Sequence, residues 1–297
     1  MYSDEHMYTI VTHSGSFHAD DVFSIAAFQM LLGIENTTFN RTRDEAVIAA
    51  ADYVVDVGGV YNHVTKRYDH HQPGAPVREN GIPYAGFGLM WRHYGQEITG
   101  STDTANYIEE HLCQPIDAGD NGVTLYELND YQVKPFELYN FVSLYNPPWG
   151  STESRDEQFI KAVDWARAVL ERMIIKGKAA ERQNQLIAAV YEAASDKTLL
   201  EFTVPVSMMA VVQYPDVHVI VCPDDPATND NWTATCVRKD FNTFASRVSF
   251  PESWAGLRSA ELAAQSGLAD AVFCHKARFL FVGGSKQSAL AAAQQAT

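Results

Sequence analysis

The sequence lacks the features that mark secreted, membrane-spanning or duplex-binding proteins. Its four cysteines are scattered and form no C-x-x-C pair, which favours reduced core thiols over a disulfide framework or a zinc ribbon. No apolar run approaches the about 18 residues of a membrane-spanning helix. The first twenty residues hold no apolar signal core. We therefore expect an intracellular protein, cytoplasmic by default, with the nucleus or a mitochondrion open for a eukaryotic source.

Positive charge is also scarce, because 22 Lys and Arg face 37 Asp and Glu, for a formal net charge of −15. Proteins that grip long duplex DNA need clustered basic side chains, so this class is disfavoured. A small or single-stranded phosphate substrate stays open, because bound metal ions supply local positive charge. The length of 297 residues and the hydrophobic share of 46% suit a globular protein of two domains.

The stretch Thr12–Asp21, THSGSFHADD, is the first of four polar clusters at the ends of apolar segments. It follows a predicted strand at 8–11 and precedes a predicted helix, Val22–Leu32. Ligands of an open parallel sheet bind at the carboxyl ends of its strands. Five residues here are of metal-ligand or proton-transfer types: His13, Ser14, His18, Asp20 and Asp21. We predict that His13, His18 and Asp20 begin a divalent metal site, with a satisfied polar turn as the alternative.

Two more clusters follow. The β-branched run before Asp56 predicts a buried parallel strand that ends beside Gly58 and Gly59. Asp56 is a ligand candidate or, alternatively, a turn cap. Asp69-His70-His71 then ends at a Pro-Gly turn. Because consecutive residues point in alternate directions, we expect one histidine to bind metal. The other would bind phosphate or donate a proton, and Asp69 would orient or bridge.

The fourth cluster lies in Pro115–Val123, which contains Asp117 and Asp120. Its ordinary alternative is an Asx turn. Four such clusters in a βαβα pattern indicate two divalent ions a few ångströms apart, as in hydrolases that use an in-line displacement. The share of carboxylates favours Mn²⁺ or Mg²⁺ over a lone structural zinc.

The hydrophobic pattern changes after Asp196, which predicts two domains. Residues 1–196 would form the sheet domain with a long helical connection, and residues 197–297 a smaller α+β domain. Short strands are predicted at Phe202–Met208, Met209–Gln213 and Val217–Val221.

Two groups are candidates for binding a phosphate. Arg41 and Arg43 follow a predicted strand, and could instead cap and pair with acidic neighbours. Before the last predicted helix lie Gly283, Gly284, Ser285 and Lys286. This second group could cradle an anion at the helix N-terminus or form a plain turn.

Together, these motifs resemble a known family. Asp69-His70-His71 with upstream Asp56 is similar to the DHH phosphoesterase superfamily, and the details most resemble the melanocyte proliferating gene (MYG-type) family of metal-dependent hydrolases. The similar stretches run in order through essentially the whole chain: THSGSFHADD, RTRD, VVDVGGVY, RYDHHQ, DAGDNG, LYNPPW, PESWAGLR and a closing FVGG.

The resemblance implies an α/β fold: a DHH-type, mainly parallel sheet domain flanked by helices, with a smaller α+β C-terminal domain. It also implies a two-metal phosphodiesterase associated with 3′–5′ exonuclease action on RNA. Two positions depart from the wider superfamily. His18 occupies the position of the first of two aspartates, and this change concerns the identity of the metal ion. Ser285 stands where many relatives carry histidine, and this change concerns the contact with substrate.

We therefore expect a phosphodiesterase, dependent on two Mn²⁺ or Mg²⁺ ions, that acts on RNA or short oligonucleotides. The expected ligands are His13, His18, Asp20, Asp56, His70 and Asp120, with Asp117 as a further candidate. The expected catalytic groups are His71, Asp69 and Asp21. The alternatives are a pyrophosphatase-like or small-phosphoester hydrolase and a non-catalytic metal- or nucleotide-binding regulator. No membrane partner is expected, and the sequence does not decide between a monomer and a homodimer.

Overall fold

The structure is a computed structural model that describes residues 6–297. The chain forms two compact units, with the boundary between Ala180 and Glu181. We call them the N-terminal unit and the C-terminal unit. This boundary lies inside a long helix, whereas the boundary predicted from the sequence follows that helix.

The N-terminal unit contains a five-stranded sheet and seven helices among its described residues, the last helix continuing past the boundary. Its strands are β1 (Tyr8–Thr12), β2 (Thr37–Arg41), β3 (Tyr53–Val55), β4 (Tyr61–Asn62) and β5 (Arg67–Tyr68). Its helices are α1 (Ala19–Leu32), α2 (Glu45–Ala50), α3 (Gly86–Thr99), α4 (Thr102–Ile108), α5 (Gln114–Asp120), α6 (Leu138–Ser143) and α7 (Arg155–Ala193). A π-helical turn, Glu109–Cys113, joins α4 to α5.

The strand order of this sheet is β2-β1-β3-β5-β4. β1 is parallel to β2 and β3, β3 is parallel to β5, and β4 is an antiparallel edge. Consequently β1, β3 and β5 all end at the same edge, where ligands of such sheets bind.

Both faces of the central strands are buried, which explains their continuous apolar sequence. On one face, Ile10 and Val55 pack in the main core with α1 and α3. On the other, Val11 and Val54 pack with Ile48 of α2. Helix α1 is buried from its first residue to Gln29, as expected for a helix that is apolar on most sides.

The C-terminal unit contains a second five-stranded sheet. Its strands are β6 (Leu199–Glu201), β7 (Val219–Pro223), β8 (Trp232–Cys236), β9 (Ala271–Cys274) and β10 (Leu280–Gly283), and its helices are α8 (Met208–Val211), α9 (Ser259–Ser266) and α10 (Lys286–Ala293). The order is β6-β7-β8-β10-β9. β6 and β7 are parallel and the other pairs antiparallel. The prediction of a mixed α/β chain is confirmed, while the DHH-type arrangement stays a prediction.

Two of the strands predicted in the C-terminal unit are wrong. The strands predicted at Phe202–Met208 and Met209–Gln213 are absent, and Met208–Val211 forms helix α8 instead. Short apolar runs do not distinguish a strand from a buried helical turn, because both fill a core. The Asx turn that was the alternative for Pro115–Val123 does not describe Asp117, which lies within helix α5.

Two further predictions from the sequence concern the cysteines and membrane-spanning helices. All four cysteines are free and buried: Cys113, Cys222, Cys236 and Cys274. Among residues 6–297, no helix combines the length and apolar character needed to cross a bilayer.

Candidate metal centre

Three strand ends and two helix ends bring acidic and imidazole side chains together in the N-terminal unit. His13 directly follows β1, Asp56 follows β3, and Asp69-His70-His71 follow β5. His18 is the N-cap residue of α1, and Asp20 and Asp21 lie in the first turn of that helix. Asp120 is the last residue of α5. The convergence follows from the parallel pairing of the strands.

Asp56 lies between two histidines. Its Oδ2 is 3.2 Å from His13 Nε2, and its Oδ1 is 3.3 Å from His70 Nε2. Asp56 is only 2% exposed. Its backbone has a φ of 54°, in the left-handed region that Asp and Asn tolerate better than most residues. Each carboxylate oxygen therefore faces a different imidazole, as a group shared by two ions would.

The tautomer of His13 leaves its inner nitrogen free for a ligand. His13 Nδ1 lies 3.0 Å from the carbonyl oxygen of Ser14, and a carbonyl only accepts, so Nδ1 carries the proton in the neutral ring. In that neutral tautomer Nε2 carries the lone pair that a metal ion would bind, and it lies 3.2 Å from both Asp56 Oδ2 and Asp21 Oδ2. A backbone acceptor on the outer nitrogen is the usual arrangement of a metal-binding histidine.

Asp120 joins the cluster from α5. Its Oδ2 is 3.2 Å from His70 Nε2, and its Oδ1 is 3.9 Å from His18 Nδ1. Three overlapping groups of three residues place their ligand atoms within 4.8 Å of one another. They are His13, His18 and Asp56; Asp56, His70 and His71; and His18, Asp20 and Asp120.

The buried atoms of this cluster fit a cation. Among the described residues, five of them are buried without a hydrogen-bond partner: His13 Nε2, Asp20 Oδ1, Asp21 Oδ2, Asp56 Oδ1 and His70 Nε2. Buried polar atoms are normally hydrogen-bonded, so such a concentration needs an explanation. Carboxylate oxygens and imidazole nitrogens that converge without satisfying one another are a donor set for divalent metal ions.

The pKa values indicate excess buried negative charge. Burial raises the pKa of Asp20 well above its usual range, and the neighbouring Asp56 and Asp120 raise it further. Burial alone would raise the pKa of Asp56, but His13 and His70 lower it to about 2. Burial alone would lower the pKa values of both histidines, but their carboxylate partners raise each to about 10. Without a metal, protonated imidazoles provide the positive charge.

Two aspartates position other members of the cluster. Asp69 Oδ1 accepts hydrogen bonds from the backbone N–H of His71 and, at 2.7 Å, from its Nδ1. Asp21 Oδ1 accepts from the backbone N–H of His18 at 2.9 Å. The side chain of His71 is 63% exposed, so Asp69 orients an imidazole that solvent reaches.

Asp117 lies apart from these three groups. It is fully buried, accepts from Arg78 Nη2 at 2.7 Å and accepts from the backbone N–H of Gly88 at 3.1 Å. Burial raises the pKa of Asp117 to about 7, against the opposing effect of Arg78. The ion pair anchors α5, which also carries Asp120. Arg78 was missed by sequence reasoning, because its isolated position gives no local signal.

The loop that contains His13 and His18 is held by distant residues. Asn146 accepts from the backbone N–H of Phe17 at 3.0 Å and donates to its carbonyl oxygen at 2.9 Å. Arg41 Nη2 donates to the carbonyl oxygen of Gly15 at 2.6 Å, and Arg41 Nη1 pairs with Asp156 at 2.7 Å. The substrate role of Arg41 stays a prediction, and in the structure its guanidinium contacts Gly15 and Asp156.

The other predicted substrate groups are Arg43 and the segment from Gly283 to Lys286. Arg43 is exposed just after β2. In the C-terminal unit, Gly284 donates to the carbonyl oxygen of Asp270 at 2.9 Å, Ser285 caps α10, and Lys286 pairs with Glu201. A Cβ on Gly283 would lie 3.0 Å from the Phe281 ring. The glycine pair and Ser285 thus have structural roles at a helix start.

Comparison with known proteins gives consistent matches over nearly the whole chain. The model of the family MYG1_exonuc, described as an uncharacterised protein family (UPF0160), matches residues 9–297. The MYG1 protein of Dictyostelium discoideum is 29% identical, over 94% of this chain and 92% of that protein. The MYG1 exonuclease of Mus musculus is 26% identical, over 95% and 82%. The MYG1 protein of Chlamydia muridarum is 29% identical, over 94% and 93%.

A solved structure of a pGpG-specific phosphodiesterase from Vibrio cholerae also aligns. It is 14% identical, with 93% of this chain and 92% of that chain covered, at a TM-score of 0.34.

Proposed function

Because the chain belongs to the MYG1_exonuc family (UPF0160), we propose that it is a divalent-metal-dependent phosphodiesterase. The proposed reaction is removal of nucleotides from the 3′ end of RNA or of short oligonucleotides. The name exonuclease carried by the mouse relative supports this class of reaction. We also propose that the N-terminal unit is a DHH-type domain.

One observation carries the proposal: buried carboxylate and imidazole atoms converge from three strand ends and two helix ends, and five of the described atoms lack a hydrogen-bond partner. The proposed ligands of two Mn²⁺ or Mg²⁺ ions are His13, His18, Asp20, Asp56, His70 and Asp120. Asp56 is the proposed bridge, since its two oxygens face opposite histidines. Asp117 is not retained, because Arg78 already neutralises it. When bound, such ions supply positive charge to phosphate oxygens and lower the pKa of a water nucleophile.

His71 is the proposed general acid. Its Nδ1 is occupied by Asp69, and its exposed ring leaves Nε2 free to meet the substrate. In hydrolysis, water forms a new bond to phosphorus and loses a proton to solvent, and the bond to the departing nucleoside oxygen breaks. His71 gives a proton from Nε2 to that oxygen and recovers one from solvent. Because Nδ1–H is bonded to Asp69, His71 gives a proton from Nε2 only in its doubly protonated form, and Asp69 stabilises that form and fixes the ring orientation.

The remaining proposed contacts are to phosphate. Arg43 is exposed after β2 and available to an anion. For Arg41, Gly283, Gly284, Ser285 and Lys286, a substrate role stays a prediction, which would require them to exchange the partners described above.

The test uses the full chain loaded with Mn²⁺ or Mg²⁺ and an RNA oligomer with a 5′ label and a free 3′ hydroxyl. We expect a ladder that shortens from the 3′ end, and loss of activity in chelator. Inorganic pyrophosphate is the competing substrate, and faster turnover of it would favour the pyrophosphatase-like alternative. Bound metal without hydrolysis of any phosphate ester would favour a regulator. Asp130→Asn, an exposed loop substitution, is the matched control for substitutions in the centre.

A further inference from the structure

A cavity of about 250 Å³ adjoins the candidate metal centre. His18, His71 and Asp120 form the part of its lining that belongs to the centre. The rest of the lining includes the apolar and aromatic side chains of Phe17, Ile116 and Tyr139. A phosphate alone would leave the apolar lining unused, so the cavity fits a ligand that has both a charged group and a flat apolar one.

The position of the Tyr139 ring depends on the absence of a side chain at Gly119 of the neighbouring helix. It lies in α6, and a Cβ built on Gly119 of α5 would be 3.1 Å from Cδ1 of the tyrosine ring. The ring therefore lies almost directly on the backbone of α5, next to Asp120. Tyr139 is 41% exposed, so part of the ring remains available for stacking.

The size of the cavity limits the ligand. Pockets that enclose drug-sized molecules measure about 300–1,000 Å³, and this one is slightly smaller. It accommodates one nucleoside, and a second stacked base would lie outside it. The adjoining centre would hold the phosphate attached to that nucleoside.

We propose that this cavity is a nucleoside subsite in which the base of the terminal nucleotide stacks on Tyr139. The inference rests on the proposed phosphodiesterase function and adds a base-binding residue to it, so that turnover depends on the base as well as on the phosphate ester. Stacking of a base on an aromatic side chain changes affinity by roughly 5- to 150-fold, and it tolerates every base because each has a π-face.

The test compares dinucleotides that differ only in one base. One substrate carries both bases, and two others replace the 5′ or the 3′ nucleoside with an abasic residue. With metal-loaded enzyme, we expect kcat/KM to fall roughly 5- to 150-fold for one of the abasic substrates. In Tyr139→Ala the ratio of base-bearing to abasic kcat/KM falls toward one, and Tyr139→Phe restores it. Tyr131→Ala, an 84% exposed tyrosine outside the cavity lining, keeps the wild-type ratio.

Gly119→Ala provides a second variant, because it displaces the Tyr139 ring while alanine favours the helix. It should lower the same ratio. Equal kcat/KM for base-bearing and abasic substrates in the wild type would overturn the inference, as would an unchanged ratio in Tyr139→Ala.

Binding separates failure of the subsite from failure of the proposed function. Adenosine monophosphate and ribose 5-phosphate share a sugar and a phosphate, and they differ by the base. By calorimetry with the Mn²⁺-loaded protein, we expect adenosine monophosphate to bind more tightly, and Tyr139→Ala to remove the difference. If no dinucleotide is hydrolysed, the proposed function fails while this comparison still decides the subsite. Equal affinities would refute the subsite even in an active enzyme.

Discussion

Replacing Arg78 with alanine leaves a buried carboxylate without its cation. Arg78 and Asp117 have side chains that are 5% and 0% exposed, and their Nη2 and Oδ2 atoms are 2.7 Å apart. Arg78 also pairs with Glu109 and lies over the ring of Tyr84. No described side chain other than Arg78 forms a salt bridge with Asp117, so the loss is not compensated locally.

Removing one partner of a buried ion pair reduces the free energy of unfolding by about 3–5 kcal/mol. Domains are stable by only about 5–15 kcal/mol in total. We therefore expect Arg78→Ala to lose about a fifth or more of the stability of the N-terminal unit. Because α5 carries both Asp117 and Asp120, the affinity for Mn²⁺ should fall as well.

The pH dependence gives a second measure. The folded pKa of Asp117, about 7, exceeds its unfolded value of 3.8. Its contribution to stability is therefore fully present below about pH 4 and is lost as the pH rises through 7. Without Arg78 the folded pKa rises further, so the destabilisation by Arg78→Ala should be larger at pH 8 than at pH 5.

Urea denaturation of the metal-free protein at these two pH values provides the measurement. Arg172→Ala, an exposed arginine on α7, should change the free energy of unfolding by less than about 0.5 kcal/mol. In Arg78→Met with Asp117→Asn, the combined loss should be smaller than the sum of the single losses. Wild-type stability in Arg78→Ala at pH 8 would refute this account of the buried pair.

Three other substitutions test separate parts of the structure. Asp56→Asn should lower both Mn²⁺ affinity and activity by more than about 100-fold, beyond the effect of an outer-shell residue. Asparagine tolerates the φ of 54°, so folding should persist, and full activity would remove Asp56 from the centre. Gly88→Ala should destabilise by about 3 kcal/mol in urea, because its Cβ would overlap Asp117 and Arg78; unchanged stability would contradict the close approach. His93 has a pKa lowered to about 4 by burial, with His63 and Arg92 adding to the effect. Its contribution to stability is therefore present above pH 6.5 and is lost as the pH falls toward 4. His93→Phe should make the urea midpoint less dependent on pH over that range, and an unchanged pH dependence would contradict this role of His93.

Short-range patterns in the sequence were enough to predict that the main residues of the candidate centre lie at one edge of the sheet. His13, Asp56 and His70 each follow a short apolar strand, and parallel pairing places such positions side by side. The resemblance to the MYG-type family, noted from ordered motifs, is confirmed by the family model that matches residues 9–297.

Other features depend on contacts that no local pattern reveals. Arg78 and Asp117 are 39 residues apart, and neither neighbourhood indicates a pair. Sequence reasoning grouped Asp117 with Asp120 because they lie three apart, but only the helix packing decides which one faces the cluster. Tyr139 lies in a stretch with several aromatic residues, and the sequence does not indicate which of them is near the candidate centre. Its proximity to Gly119 is visible only in the structure. Met208–Val211 was predicted to be part of two strands and forms a helix. The sequence did not reveal this, because four apolar residues fit either a strand or a helical turn.

The hydrogen bonds between Phe17 and Asn146 also bear on biosynthesis. Translation proceeds from the N-terminus, so all the proposed ligands, from His13 to Asp120, are made before Asn146 and Asp156. Until those later residues emerge, the first loop lacks its two-way clasp and the salt bridge that steadies Arg41. A nascent chain stalled after Asp120 would hold every proposed ligand but none of these contacts, so the loop from His13 to His18 reaches its final order only late in synthesis.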